Sequence, residues 1–213
     1  LPVQRFIKSI EEESLKLADS VFGQTVSGKW VYESEVIDYV EEDLFMSPDL
    51  STIRKIPWNK EPTAQIICDL KYGSGEPSKI APRQVLANVV HQLKEQNLKA
   101  VVAPELEFYL CEQNLDPDLP LKTPVGKSGR REKGSRVFGI DAVNEFDAIT
   151  DDIYDYCELM DIGVDTLVHE SGPSQIEINL NHGDPLSLAD QAFMFKRAVR
   201  QVALKHGIHA TFM

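Results

Sequence analysis

Residues 99–110 read Lys99-Ala100-Val101-Val102-Ala103-Pro104-Glu105-Leu106-Glu107-Phe108-Tyr109-Leu110, and residues 175–180 read Gln175-Ile176-Glu177-Ile178-Asn179-Leu180. Both stretches are rich in β-branched, aromatic and long apolar residues and predict strands. Successive side chains of a strand point to opposite faces, so Glu105 and Glu107 share one face while Leu106 and Phe108 enter the packing layer. The second stretch repeats the arrangement, with Gln175, Glu177 and Asn179 on one side and Ile176, Ile178 and Leu180 on the other. Glu170 ends the region that follows another β-prone run, Val164 to Val168. If these strands are sheet neighbours, their carboxylates converge in one cleft. Acids that close repel unless their pKa values rise, basic partners intervene or a hard divalent cation that favours oxygen ligands binds, with Mg²⁺ or Mn²⁺ the expected ion. The same alternation describes any strand with one face in water, and a chain with 34 acids offers many such pairs.

Working outward, Phe6, Ile7, Ile10, Leu17 and Ala18 recur at helical spacing and predict an amphipathic N-terminal helix. Residues 21–80 hold short β-prone pieces, WVYESEVIDYV (30–40) and TAQIICDL (63–70), between turn-rich segments, which predicts a small loop-rich β unit. Pro82 suits the first turn of a helix through Val85, Leu86, Val89, Val90 and Leu93. After the acid-bearing strand, residues 115–136 have the proline, glycine and charge density of a long exposed loop whose ordering calls for a partner or ligand. A helix follows Asn144–Asp147 and ends at Gly163, and a long helix is expected from about Ser187 to His206. The apolar ending Ala210 to Met213 begins another extended segment and predicts continuation. The expected division is a β-rich unit over 1–80 and an α+β unit over 81–213.

Composition excludes several classes of function. A net charge of −12 repels a phosphate backbone, and the one dense basic run is the short stretch Arg130 to Arg136, which argues against nucleic-acid binding. No window approaches the roughly 18 apolar residues of a membrane span, and the start of the sequence turns acidic where a secretory signal would be apolar. Cys68, Cys111 and Cys157 are odd in number and lack C-x-x-C spacing, which argues against a disulfide framework or thiolate zinc site. A cytoplasmic, non-membrane protein is expected. No phosphate loop, nucleophile elbow or dinucleotide fingerprint is present in the sequence. His169 beside Glu170 suggests a local hydrogen bond, and Arg83 reads as a helix-start residue.

The ordered set of segments resembles the glutamine synthetase family, particularly the branch that includes γ-glutamylpolyamine synthetases. It comprises Asp43 to Thr52 with Pro57-Trp58, Gly75-Glu76-Pro77 with Ala81-Pro82-Arg83, and Pro104 to Phe108, then His169 to Leu180, Ala189-Asp190, Phe195-Lys196 and Ala203 to Met213. The resemblance implies an α+β fold: an N-terminal β-grasp-like domain, then the first part of a catalytic domain built on an antiparallel sheet. It also implies a parent enzyme that uses ATP to phosphorylate the γ-carboxylate of glutamate, after which ammonia or an amine such as a polyamine displaces phosphate. By position in the motifs, Glu107, Glu170 and Glu177 correspond to ligands of a Mg²⁺ or Mn²⁺ ion near the glutamate and amine site. Glu105 corresponds to a ligand of the ion that meets ATP. Family members assemble into homo-oligomeric rings, which leaves a second expectation, a catalytically silent module serving subunit assembly. The stretch Val21 to Val40 departs from the family's D-G-S-S or D-x-x-G pattern, which bears on amine specificity. The family's Lys-Pro after Thr-Phe-Met, and its metal-binding histidine, would lie beyond Met213.

Overall fold

The structure, a computed structural model, describes residues 1–25, 27–30, 42–116 and 118–212. Of the β-prone piece expected at 30–40, only Trp30 falls among them. The N-terminal helix forms as α1 (Val3–Glu11) but stops short of Leu17 and Ala18, which belong to strand β1 (Lys16–Ala18), and β2 (Asp43–Pro48) follows. The expected strand at 63–70 is broken. Its first part is β4 (Ala64–Gln65), which forms a two-stranded sheet with β3 (Arg54–Lys55), and its second part, β5 (Cys68–Lys71), joins β1 and β2 in an antiparallel sheet of order β1-β2-β5. Ile67 donates its N–H to the Thr52 side chain and gives its carbonyl to the Asp49 amide, so its backbone is committed outside any ladder.

Residues Leu1–Ile53 with Gln65–Ala100 form one compact unit, and Arg54–Ala64 with Val101–Met213 form the other. These units interleave along the chain, whereas the division expected at residue 80 is a single cut. The first unit packs Leu44, Leu70 and Ala81 against Leu17, Phe22, Met46 and Tyr72. Helix α2 (Pro82–Glu95) starts at Pro82 as expected. Arg83 does more than start it, for its guanidinium holds Asp69 at 2.5 Å and Asp49 at 2.6 Å. Ser51 and then Arg83 hydrogen-bond the Asp49 carboxylate and keep its pKa below the ordinary value against the opposing effect of burial.

The second unit carries the acid-bearing strands. Strand β6 (Glu105–Glu112) begins after Pro104, later than the β-prone run suggested, since Lys99 to Pro104 contributes only a bridge at Val102. Then come α3 (Ile140–Asn144), α4 (Asp147–Leu159), β7 (Val164–His169), β8 (Gln175–Leu180), α5 (Pro185–Lys205) and β9 (Ile208–Phe212). The last four strands of the chain form one antiparallel sheet in the order β7-β8-β6-β9. Helix α5 starts with Pro185 behind Asp184, whose carboxylate caps the amides of Leu186 and Ser187. Its buried side chains, Phe195, Ala198, Val199 and Val202 among them, join Phe108, Ile176, Ile178 and Leu180, with the Phe212 ring tilted against Phe108 and edge-on to Phe195. Burying each such large side chain contributes about 1.5–3 kcal/mol, so this face fixes the register of the sheet. None of the described helices is long and apolar enough to cross a membrane.

Asp152 on α4 ties down the end of α5, accepting from Lys205 Nζ at 2.8 Å and His206 Nε2 at 2.6 Å. Burial pushes the Asp152 carboxyl up, but the hydrogen bonds and charges of Lys205 and His206 outweigh it and hold its pKa below the ordinary value. An acid depressed in the folded state stabilises above its unfolded pKa, about 3.9, and loses that contribution as pH falls through the folded value. Asp152→Asn is therefore expected to lower the melting temperature at neutral pH and to flatten its decline below about pH 4. Thermal melts across that range check it, and superimposable acid limbs would count against the assignment.

Candidate functional site

The face of the second sheet opposite the α5 core carries the acids. Antiparallel register sets Glu107 directly across from Glu177 and Glu105 across from Asn179, with Tyr109 across from Gln175. Directly opposed residues project to the same side, so Glu105, Glu107 and Glu177 share one face, as the alternation predicted. Glu170 immediately follows β7, and its N–H donates to the Gln175 carbonyl at 2.9 Å, which brings it to the same region of the hairpin. Burial raises the Glu177 pKa, and the charges of Glu170, Glu105 and Glu107 push in the same direction against a hydrogen bond from Asn179. The four acids singled out in the sequence therefore act on one another electrostatically at Glu177.

Polar side chains around the acids were less visible in the sequence. Gln175 donates through Nε2 to Glu107 Oε2 at 2.6 Å, while its Oε1 accepts from Tyr109 Oη at 3.0 Å and from the Gly172 amide at 2.7 Å. Glu107 is thus oriented by an amide whose own carbonyl is doubly held. Asn179 donates to Thr166 Oγ1 at 2.9 Å, and its buried Oδ1 has no hydrogen-bond partner among the described residues. That unpaired oxygen and the carboxylates on the same face are all hard oxygen donors. Among the described residues no three His, Cys, Asp or Glu side chains are drawn together into a ready coordination group.

The turn between β7 and β8 is unusually well tied. His169, fully buried, places Nδ1 2.9 Å from Glu170 O and Nε2 2.9 Å from Glu132 Oε2. A carbonyl oxygen only accepts, so Nδ1 carries a hydrogen. Ser174, also fully buried and at φ +56°, donates its N–H to the same Glu132 oxygen at 2.6 Å and its hydroxyl toward Leu110 O at 2.7 Å. The expected local bond of His169 is present, but its partner Glu132 lies 37 residues away in the basic run, where nothing in the sequence marks it. That run is held by the protein itself: Arg131 pairs with Glu112 at 2.5 Å, and Phe138 N–H donates to His169 O. Burial raises the thiols of Cys68 and Cys111 and pushes Cys157 up to about 12, which leaves none activated as a nucleophile.

The chain is similar to known proteins. Gamma-glutamylputrescine synthetase PuuA of Escherichia coli (strain K12) is 35% identical over 91% of this chain and 42% of its own length. The glutamate–isopropylamine ligase of a Pseudomonas species is 29% identical over 98% of this chain and 45% of its own length. The chain therefore spans less than half the length of these relatives. Two solved structures share the fold: the apo form of GmaS, with a TM-score of 0.77 at 22% identity over 100% of this chain and 45% of that one, and a novel glutamine synthase homolog, with 0.78 at 18% over 99% and 46%. The glutamine synthetase catalytic domain matches residues 79–213, which include every strand of the acid-bearing sheet. By that match, and by similarity that runs into the glutamate–amine ligases, the chain belongs to the glutamine synthetase family.

Proposed function

We propose that the full-length protein joins the γ-carboxylate of glutamate to ammonia or an amine at the expense of ATP. The observation that carries this reading is the register that sets Glu107 across from Glu177, with Glu105 and Glu170 acting on the same carboxyl, in a chain of this family. A γ-carboxylate oxygen takes the terminal phosphoryl group and ADP leaves. The amine nitrogen then adds to the activated carbonyl, loses a proton and expels phosphate, leaving an amide. Glu107, Glu170 and Glu177 would hold one Mg²⁺ or Mn²⁺, and Glu105 would serve the ion that meets ATP. Such a cation neutralises charge on the transferring phosphoryl group. Gln175 holds Glu107 in one orientation, and the doubly accepting Oε1 keeps Gln175 from turning.

In this reading residues 1–80 form the β-grasp-like domain and 81–213 the first part of the catalytic domain of a cytoplasmic ring-forming enzyme. The relatives that act on putrescine and isopropylamine support an alkyl amine as acceptor. The test is release of ADP and phosphate by the full-length protein with glutamate, Mg²⁺ and, in turn, ammonium, putrescine and isopropylamine. Release that requires glutamate and favours an alkyl amine is expected. Turnover of ATP indifferent to glutamate would overturn the reaction, and absence of turnover with every amine would favour the silent assembly module.

A further inference from the structure

We infer that Glu132, carried by the long segment between β6 and α3, is the positioning residue for Glu170. The inference rests on the cation reading of the acid face proposed above. Glu170 is one step from His169 and leads the turn that closes at Ser174, and Glu132 Oε2 contacts both ends of that turn, His169 Nε2 at 2.9 Å and the Ser174 amide at 2.6 Å. The return path runs through His169 Nδ1, which donates to the carbonyl of Glu170 itself at 2.9 Å. One carboxylate oxygen thus holds the His169 ring just before Glu170 and the Ser174 backbone amide after it.

The surroundings make this a built arrangement. The side chain of His169 is fully buried and that of Glu132 is 5% exposed, although its neighbours Arg131 and Lys133 belong to a charged surface run. The second carboxylate oxygen of Glu132 is buried with no hydrogen-bond partner among the described residues. Taking a carboxylate out of water and leaving half of it unsatisfied is unfavourable, so a loop that needed only to cover the sheet would keep this residue in solvent. Ser174 also adopts φ +56°, a conformation that a serine takes at a cost and that the bonds to Glu132 and Leu110 hold in place. Partners that orient a metal-binding side chain from behind typically change cation affinity 10–100-fold when removed, on the order of a ligand's own setting.

The test uses full-length protein, Mn²⁺ as probe, and hydrogen exchange across residues 170–175. Glu132→Ala is expected to weaken Mn²⁺ binding about tenfold or more and to speed exchange at the Ser174 amide. Glu132→Gln, whose carbonyl oxygen can take the place of Oε2 and still accept from the Ser174 amide, restores part of both. Glu132→Asp keeps the charge but falls short of the turn, so it weakens both and decides the matter if the alanine variant does not fold. Lys133→Ala leaves both unchanged. A folded alanine or aspartate variant with wild-type Mn²⁺ affinity and Ser174 protection overturns the positioning role. A wild-type protein that takes up no Mn²⁺ overturns the cation reading itself, so the two failures are distinguishable.

Discussion

Glu177→Gln is expected to raise the melting temperature of the metal-free protein while lowering ATP-dependent turnover by the full-length parent about a hundredfold or more. Glutamine keeps the shape of the side chain and removes its charge. In the folded protein burial, and then the charges of Glu170, Glu105 and Glu107, raise the Glu177 pKa. An acid raised in this way disfavours the folded state when ionised, so its penalty is greatest at neutral pH and fades as pH falls through the folded value toward the unfolded value of about 4.3. The gain from glutamine should follow the same course and vanish in acid. Mn²⁺ should stabilise the wild type by mass action and the variant far less. Melts with and without Mn²⁺ at neutral and acid pH check both halves. A variant that melts below the wild type at neutral pH and keeps its response to Mn²⁺ would identify the acids as a merely solvated face.

The acid face was legible because alternation in a strand is a local rule. Leu106 and Phe108 against Glu105 and Glu107, and Ile176 and Ile178 against Glu177, state which side is wet without reference to the rest of the chain. Burial of Phe108, Ile176 and Ile178 then selects the register that sets Glu107 beside Glu177, because a slip by one residue would turn those side chains to water. The helix started by Pro82 was legible for the same local reason, whereas the one expected from about Ser187 begins two residues earlier, at Pro185. What the sequence withheld depends on distant partners. Ile67 interrupts a β-prone run because its amide meets Thr52, and Glu132 leaves a basic surface run because His169 and Ser174 lie beneath it. Arg83 occupied its expected helix start, but the pair Asp49 and Asp69 that it bridges are separated by 20 positions, and no periodicity announces that. Among the residues near the acids, Gln175 shared their alternation, yet its task of orienting Glu107 follows from the Tyr109 and Gly172 contacts alone.

Those contacts make Gly172→Ala the second variant with a large expected effect. A β-carbon at Gly172 would lie 2.5 Å from Tyr109 Oη, 2.6 Å from Tyr109 Cε1 and 2.7 Å from Gln175 Oε1. A non-bonded methyl carbon tolerates no such separations, so Tyr109 and Gln175 must move. Both are ends of side chains, which limits the direct cost to about 1–3 kcal/mol of overpacking and leaves the sheet in place. The larger consequence falls on Glu107, since displacement of Gln175 Oε1 from Tyr109 and from the Gly172 amide frees the amide that donates to Glu107 Oε2 at 2.6 Å. Mn²⁺ affinity and turnover of the full-length protein are expected to fall about tenfold or more, out of proportion to the loss of stability. Gly183→Ala supplies the contrast: its β-carbon would meet only Leu188 Cδ1 at 3.6 Å and Leu188 Cγ at 3.9 Å, ordinary packing distances, and stability should change by no more than about 0.5 kcal/mol. Equal effects of the two substitutions on Mn²⁺ binding would mean that the orientation of Glu107 by Gln175 has no part in the chemistry of the site. A loss confined to Gly172→Ala would tie the packing of one hairpin turn to the acid that faces Glu177 across the sheet.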